Sequence, residues 1–151
     1  MLQNTYFFRG NLCACKVKII KEEPVDKVYI SGVIYENVIN ETAYYMAAAP
    51  AGHINSFSGS GLPFPNQEIA FLHTPNKGKL SVPFNKFYVE LLMPNSYCEE
   101  MCNKLIEPSL LIKYSNGKKI RILKIPISNK IPYRSQNYPY QRTSPNFYKA
   151  G

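Results

Sequence analysis

The stretch Leu110-Leu-Ile-Lys-Tyr-Ser-Asn-Gly-Lys-Lys-Ile-Arg-Ile-Leu-Lys-Ile-Pro-Ile127 decides the fold class. Two runs rich in Leu, Ile and Tyr, Leu110–Tyr114 and Lys118–Ile127, flank Asn116-Gly117. Such residues favour strands, and Asn-Gly accepts the positive φ angles of a type I′ turn. The sequence therefore predicts a β-hairpin.

Upstream, Phe84–Met93 sets Phe87, Val89 and Leu91 against Lys86, Tyr88 and Glu90, the period-2 pattern of a half-buried strand that Pro94 ends. Ser96-Tyr-Cys-Glu99 has the spacing of a helix capping box. Behind it, Cys98, Met101, Cys102, Leu105 and Ile106 form an apolar stripe at helical spacing, which predicts a short helix ending before Pro108. Gln67–His73 reads as a short strand and Thr74–Gly78 as a turn. Pro50–Asn66 holds three Gly and three Pro, too many breakers for a regular element, and reads as a long loop or interface segment. In Glu36–Ala49, Val38, Ile39, Thr42, Tyr45 and Met46 fit a helical stripe while Tyr44-Tyr45 favours a strand; a strand from about Glu41 to Ala48 is preferred. Near the start, Leu12–Ile20 alternates Cys13, Cys15, Val17 and Ile19 with Ala14, Lys16 and Lys18. Lys27–Tyr35 is a second β-rich run, and Gly32 within it suggests a bulge. About seven strands and one or two short helices predict a mainly β domain, a β-sandwich or jelly roll.

Past Ile127 the alternation ends. Residues 128–151 contain three Pro, four Tyr, Phe147, four cations and no acid. A core cannot form from such a stretch, so it reads as an extended arm ordered by a partner, attached to a β-rich body of residues 1–127.

Charge divides at nearly the same place. Of the net +8, residues 1–107 contribute −1, and residues 108–151, with nine cations and no acid, contribute +9. Asn, Lys, Ile and Tyr make up more than a third of the chain, a bias that A/T-rich codons alone produce. The first nine residues have neither the charged nor the long apolar region of a secretory signal. Apolar runs are all far shorter than the ~18–20 residues of a membrane helix. Four cysteines are too few for a disulfide scaffold of 151 residues, so reduced thiols in the cytoplasm are expected.

Two His and a single Asp, Asp26, leave little for acid–base chemistry, and no nucleophile or phosphate-loop spacing is present. Neither an enzyme, a cofactor nor a small-molecule substrate is expected. Cys13, Cys15, Cys98 and Cys102 match a four-thiolate zinc set in number. Both pairs nevertheless fall on apolar faces, where a thiol packs as a small hydrophobe. Nucleic acid is a secondary expectation: the cations of the last 34 residues interleave with tyrosines but are dispersed and lack a binding motif.

Three stretches carry a resemblance. They are Phe57-Ser-Gly-Ser-Gly-Leu-Pro-Phe-Pro-Asn-Gln-Glu-Ile-Ala-Phe71 with Thr74-Pro-Asn-Lys-Gly78; Leu91-Leu-Met-Pro-Asn-Ser-Tyr97; and Ile131-Pro-Tyr-Arg134 with Arg142-Thr-Ser-Pro-Asn-Phe-Tyr148. Together they resemble a group of small virion proteins of nucleocytoplasmic large DNA viruses, over roughly residues 28–148. The resemblance implies a minor capsid protein, made in the host cytoplasm, that cements jelly-roll capsomers by contacting major and other minor capsid proteins. On this reading Phe57, Leu62 and Phe64 of the Gly/Pro-rich loop bind partners. Tyr133, Arg134, Tyr138, Tyr140, Arg142, Phe147 and Tyr148 do so from the arm, Tyr and Arg being favoured interface types.

Overall fold

The computed structural model describes residues 3–22, 25–50, 64–99 and 104–127. The proposed arm, most of the Gly/Pro-rich loop and Cys102 lie outside them. The described body is mainly β, as the alternating segments predict.

Strands β1 (Gln3–Arg9), β2 (Cys13–Ile20), β3 (Lys27–Ile34) and β6 (Lys86–Leu92) form one antiparallel sheet in the order β1-β2-β3-β6. Strands β4 (Thr42–Met46), β5 (Lys77–Ser81), β9 (Ser109–Ser115) and β10 (Ile120–Pro126) form a second, ordered β10-β9-β4-β5. One buried cluster takes side chains from both: Val17, Ile30, Val89 and Leu91 from the first sheet, and Ala43, Leu80, Ile112 and Ile125 from the second. The period-2 pattern explains this, since each strand turns alternate residues inward. β7 (Tyr97–Glu99) and β8 (Lys104–Ile106) pair separately. They cover a smaller cluster of Ala48, Ala49, Phe64, Ala70, Tyr97 and Ile106.

Several expectations are corrected. Tyr97–Glu99 and Lys104–Ile106 are paired strands, not parts of a helix. Phe64 bridges to Tyr97, its N–H donating to the Ser96 carbonyl at 2.9 Å while the Cys98 N–H donates to the Phe64 carbonyl at 2.8 Å. That pairing uses the backbone groups a helix would need, and the local apolar stripe loses to it. Gln67–Phe71 is a helical turn, α1, rather than a strand. The Asn66 side chain caps it by accepting from the Ile69 N–H at 2.8 Å. β1 and β5 were not anticipated as strands; β1 pairs along its whole length with β2. Gly32 makes no bulge, because register runs through it from Cys15 to Phe87. A Cβ there would lie 2.6 Å from the Ala14 carbonyl oxygen and 2.8 Å from the Phe87 ring, so the Phe87 ring occupies the space a side chain would need.

The hairpin is present with a longer turn than predicted. Ser115 pairs with Ile120, leaving a four-residue connection, 116–119. The Asn116 carboxamide oxygen accepts from the N–H groups of Lys118 and Lys119, at 2.8 and 2.9 Å, and replaces the main-chain acceptor of a two-residue turn. This register sets Arg121 opposite Tyr114 rather than opposite the buried Ile112.

At one end of the body the sheets are joined by a buried amide. Asn76 Nδ2 donates to the carbonyls of Ala48 (2.9 Å), which follows β4, and Leu92 (2.8 Å), which ends β6. Its Oδ1 accepts from the Leu92 N–H at 2.9 Å. Thr74 Oγ1 extends the junction by donating to the Ala47 carbonyl at 2.8 Å.

Replacing Asn76 by Ala strands the buried Ala48 carbonyl and the half-buried Leu92 groups, and is expected to cost about 3 kcal/mol in urea unfolding. Asn76→Asp, which turns a carboxylate towards two carbonyls, is expected to cost more. Gly32→Ala is expected to lower stability by about 1–3 kcal/mol through overpacking, read by the same measurement.

Candidate binding faces

Alternation that fills the core also determines what each sheet shows to solvent. On the second sheet, register aligns Ile122, Lys113, Tyr44 and Lys79 in one row across four strands, and Lys124, Leu111, Met46 and Lys77 in the next. Ile120 and Ile122 are 63% and 65% exposed, on β10, an edge strand. A groove of about 680 Å³ beside Tyr44 is lined by Ile39, Lys79, Lys113 and Ile120 among others.

The first sheet differs. Its outer rows run Phe7–Lys16–Ser31–Tyr88 and Thr5–Lys18–Tyr29–Glu90. Phe7 is 78% exposed and Tyr88 58%; the Tyr29 and Tyr88 rings stack with centroids 6.4 Å apart. Removal from water and the neighbouring Glu90 carboxylate together push the Tyr29 hydroxyl above its usual pKa. Phe84, 88% exposed at φ 55°, projects from the connection between β5 and β6.

Near-neutrality of residues 1–107 thus conceals a separation. Among the described residues, Glu90 is the one carboxylate on a strand of the two large sheets, whereas Lys and Arg occur on most of them. Glu22, Asp26, Glu36, Glu41 and Glu107 lie in connections, Glu68 in α1 and Glu99 in β7. Both outer faces are consequently basic.

Glu36, just beyond β3, reaches the second sheet at the end opposite Asn76. It accepts from the Tyr114 hydroxyl (2.5 Å), Arg121 Nε (2.9 Å) and Asn116 Nδ2 (3.2 Å). These donors hold its carboxyl below the ordinary carboxylate range, the Tyr114 bond first among them. Burial and the carboxylate raise the Tyr114 hydroxyl in turn. With three side chains converging on one carboxylate, the constellation is a structural clamp.

Neither Cys13 nor Cys15 is placed as a nucleophile. Cys13 and Cys15 line the main core, and burial, with Cys13 nearby, pushes Cys15 up to about 12. Reactive thiols need the opposite shift. Among the described residues no three His, Cys, Asp or Glu side chains group as metal ligands. No helix there is long and apolar enough to cross a membrane.

Of the sequence-predicted contact residues, only Phe64 is described, and its side chain is fully buried against Ala70 and Tyr97. It therefore serves the body's own packing instead of a surface contact. Phe57, Leu62 and the seven arm residues lie outside the described residues. The exposed side chains Phe7, Tyr88, Ile120 and Ile122 were missed as candidates. Their signal was an apolar residue on the polar side of an alternating strand.

Neither family models, curated proteins nor solved structures contain a match to this chain.

Glu36 has a lowered folded pKa, so its contribution to stability is present above the unfolded value of about 4.3 and is lost as pH falls through the folded one. Glu36→Gln is expected to flatten the acid limb of a thermal-unfolding midpoint measured against pH, while lowering the midpoint at neutral pH.

Proposed function

We propose that this chain is a non-catalytic structural protein of a virion, a minor capsid or cement protein whose β-sandwich body docks on neighbouring capsid proteins. The observation that carries the reading is the outer face of the second sheet. Ile120 and Ile122 stand exposed on edge strand β10, with Tyr44, Met46 and Leu111 on the adjoining strands. Exposed β-branched residues on an edge strand invite pairing and aggregation, and natural sheets manage this by charge or by a covering partner. Here lysines interrupt the apolar rows, which keeps the free chain soluble and leaves an apolar surface for assembly.

A sandwich is supported by the core that both four-stranded sheets share. β1, β2 and β3 follow one another within a single sheet, a meander rather than the sheet-to-sheet alternation of a jelly roll. Segment 128–151 follows the body in the chain and carries the Tyr, Arg and Pro residues of the proposed arm. Two weak contacts, sheet face and arm, reinforce each other through effective concentration. Synthesis in the host cytoplasm and residence in the capsid follow from the resemblance of the three quoted stretches.

Mass spectra of purified particles are expected to contain the chain, and its absence defeats the reading. Ile120→Ser with Ile122→Ser is expected to reduce incorporation into particles severalfold while leaving the thermal midpoint of the isolated protein unchanged or higher. Deleting 128–151 is expected to reduce incorporation and spare folding of the body.

A further inference from the structure

We propose that the outer face of the first sheet binds single-stranded nucleic acid, with Phe7, Tyr29 and Tyr88 stacking bases and the lysines between them neutralising phosphates. The inference goes beyond the capsid reading and rests on a different sheet.

Three observations carry it. First, the rings are arranged as a platform. Phe7 and Tyr88 occupy the two edge strands of one row, with Lys16 and Ser31 between them. At about 4.8 Å per strand, the two strand positions lie about 14 Å apart. Tyr29 joins Tyr88 as a stacked pair at 6.4 Å. Apolar rings exposed to this degree on a strand's solvent side contribute nothing to the core beneath them.

Second, the floor is continuous. A groove of about 610 Å³ holds Phe7, Arg9, Lys16 and Lys86 among its lining. Another of about 290 Å³ includes Lys16, Lys18, Tyr29 and Tyr88. Both include Lys16 and Ser31, so they meet along the central row. The small Ser31 side chain leaves the path between the rings open.

Third, cations outnumber acids on this face. Arg9, Lys16, Lys18, Lys27 and Lys86 face outward here against two carboxylates, Glu90 and Glu22, both at the margin beside Tyr29. A cationic track interleaved with rings is the composition single-strand binding uses: bases stack on aromatics, and cations follow the backbone with salt-sensitive affinity. Duplex fits poorly, because stacked, paired bases present only their edges to a sheet. The second sheet is the useful contrast. It is equally basic, but its exposed apolar residues are mostly aliphatic and offer one ring, Tyr44.

The test is fluorescence anisotropy of the full chain with a labelled oligothymidylate over a salt series, with duplex DNA and polyglutamate as competitors. Binding is expected to prefer the single strand and to weaken steeply with salt. Phe7→Ala and Tyr88→Ala are each expected to weaken it roughly tenfold. Lys16→Gln with Lys18→Gln is expected to lower the log–log salt slope by about 1.4, at about 0.7 per phosphate contact on a single strand. All four side chains lie on the solvent face, and circular dichroism with a thermal midpoint checks that each variant is folded. The proposal is overturned if no binding occurs at low salt, or if duplex competes as well as single strand. It is equally overturned if the ring variants bind like the parent. In that case, loss of binding on deleting 128–151 assigns it to the basic segment, and displacement by polyglutamate assigns the face to an acidic protein.

Discussion

The carboxamide of Asn76 is the contact on which the arrangement of the two sheets depends. It imitates a strand partner for Leu92 at the end of β6, giving and taking one hydrogen bond, and donates a further bond to Ala48 beyond β4. Apolar contact between two sheets is non-directional and tolerates sliding. A buried amide with each bond specified does not, because displacement leaves donors and acceptors dry and unpaired. Asn76 thus sets the alignment at one end of the body, and Glu36, held by Tyr114, Asn116 and Arg121, sets it at the other.

That alignment has a consequence at the surface. Once inward residues are committed to the shared core, register alone determines which outward residues become neighbours. Lys16 and Lys18 belong to β2, while the rings beside them come from β1, β3 and β6. Ile122 and Tyr44 are 78 residues apart in the chain yet share a row through Lys113. The two faces acquire different characters, aromatic–cationic and aliphatic–cationic, from strands that individually look alike. Placing acids in the connections completes the separation and leaves both sheets able to meet a partner.

Much of the body was legible where one strand decides its own pattern. The alternation of Cys13–Ile19 and of Phe87–Leu91 was read correctly, as was the existence of the hairpin about Asn116-Gly117. Reading failed where a distant segment supplies the partner. The 98–106 stripe suits a helix until Phe64 pairs with Tyr97. Gly32 suits a bulge until the Phe87 ring is placed against it. The candidate site was less legible still: Phe64 was chosen for its loop and proved to be core, while Phe7 and Tyr88 stood in plain alternation without a reason to select them.

By itself the sequence determined the class: β periodicity, Cys13 and Cys15 on an apolar face, a neutral first portion and a basic end. These are properties of single segments, set by the alternation of side chains along a strand and by composition. Only the tertiary structure decided the turn length at residues 116–119, the pairing of Tyr97–Glu99 with Lys104–Ile106 and the grouping of exposed side chains into two unlike faces. The physical reason is common to all three. Hydrogen-bond register and buried polar clamps join segments far apart in the chain, and no local pattern records which residues will meet.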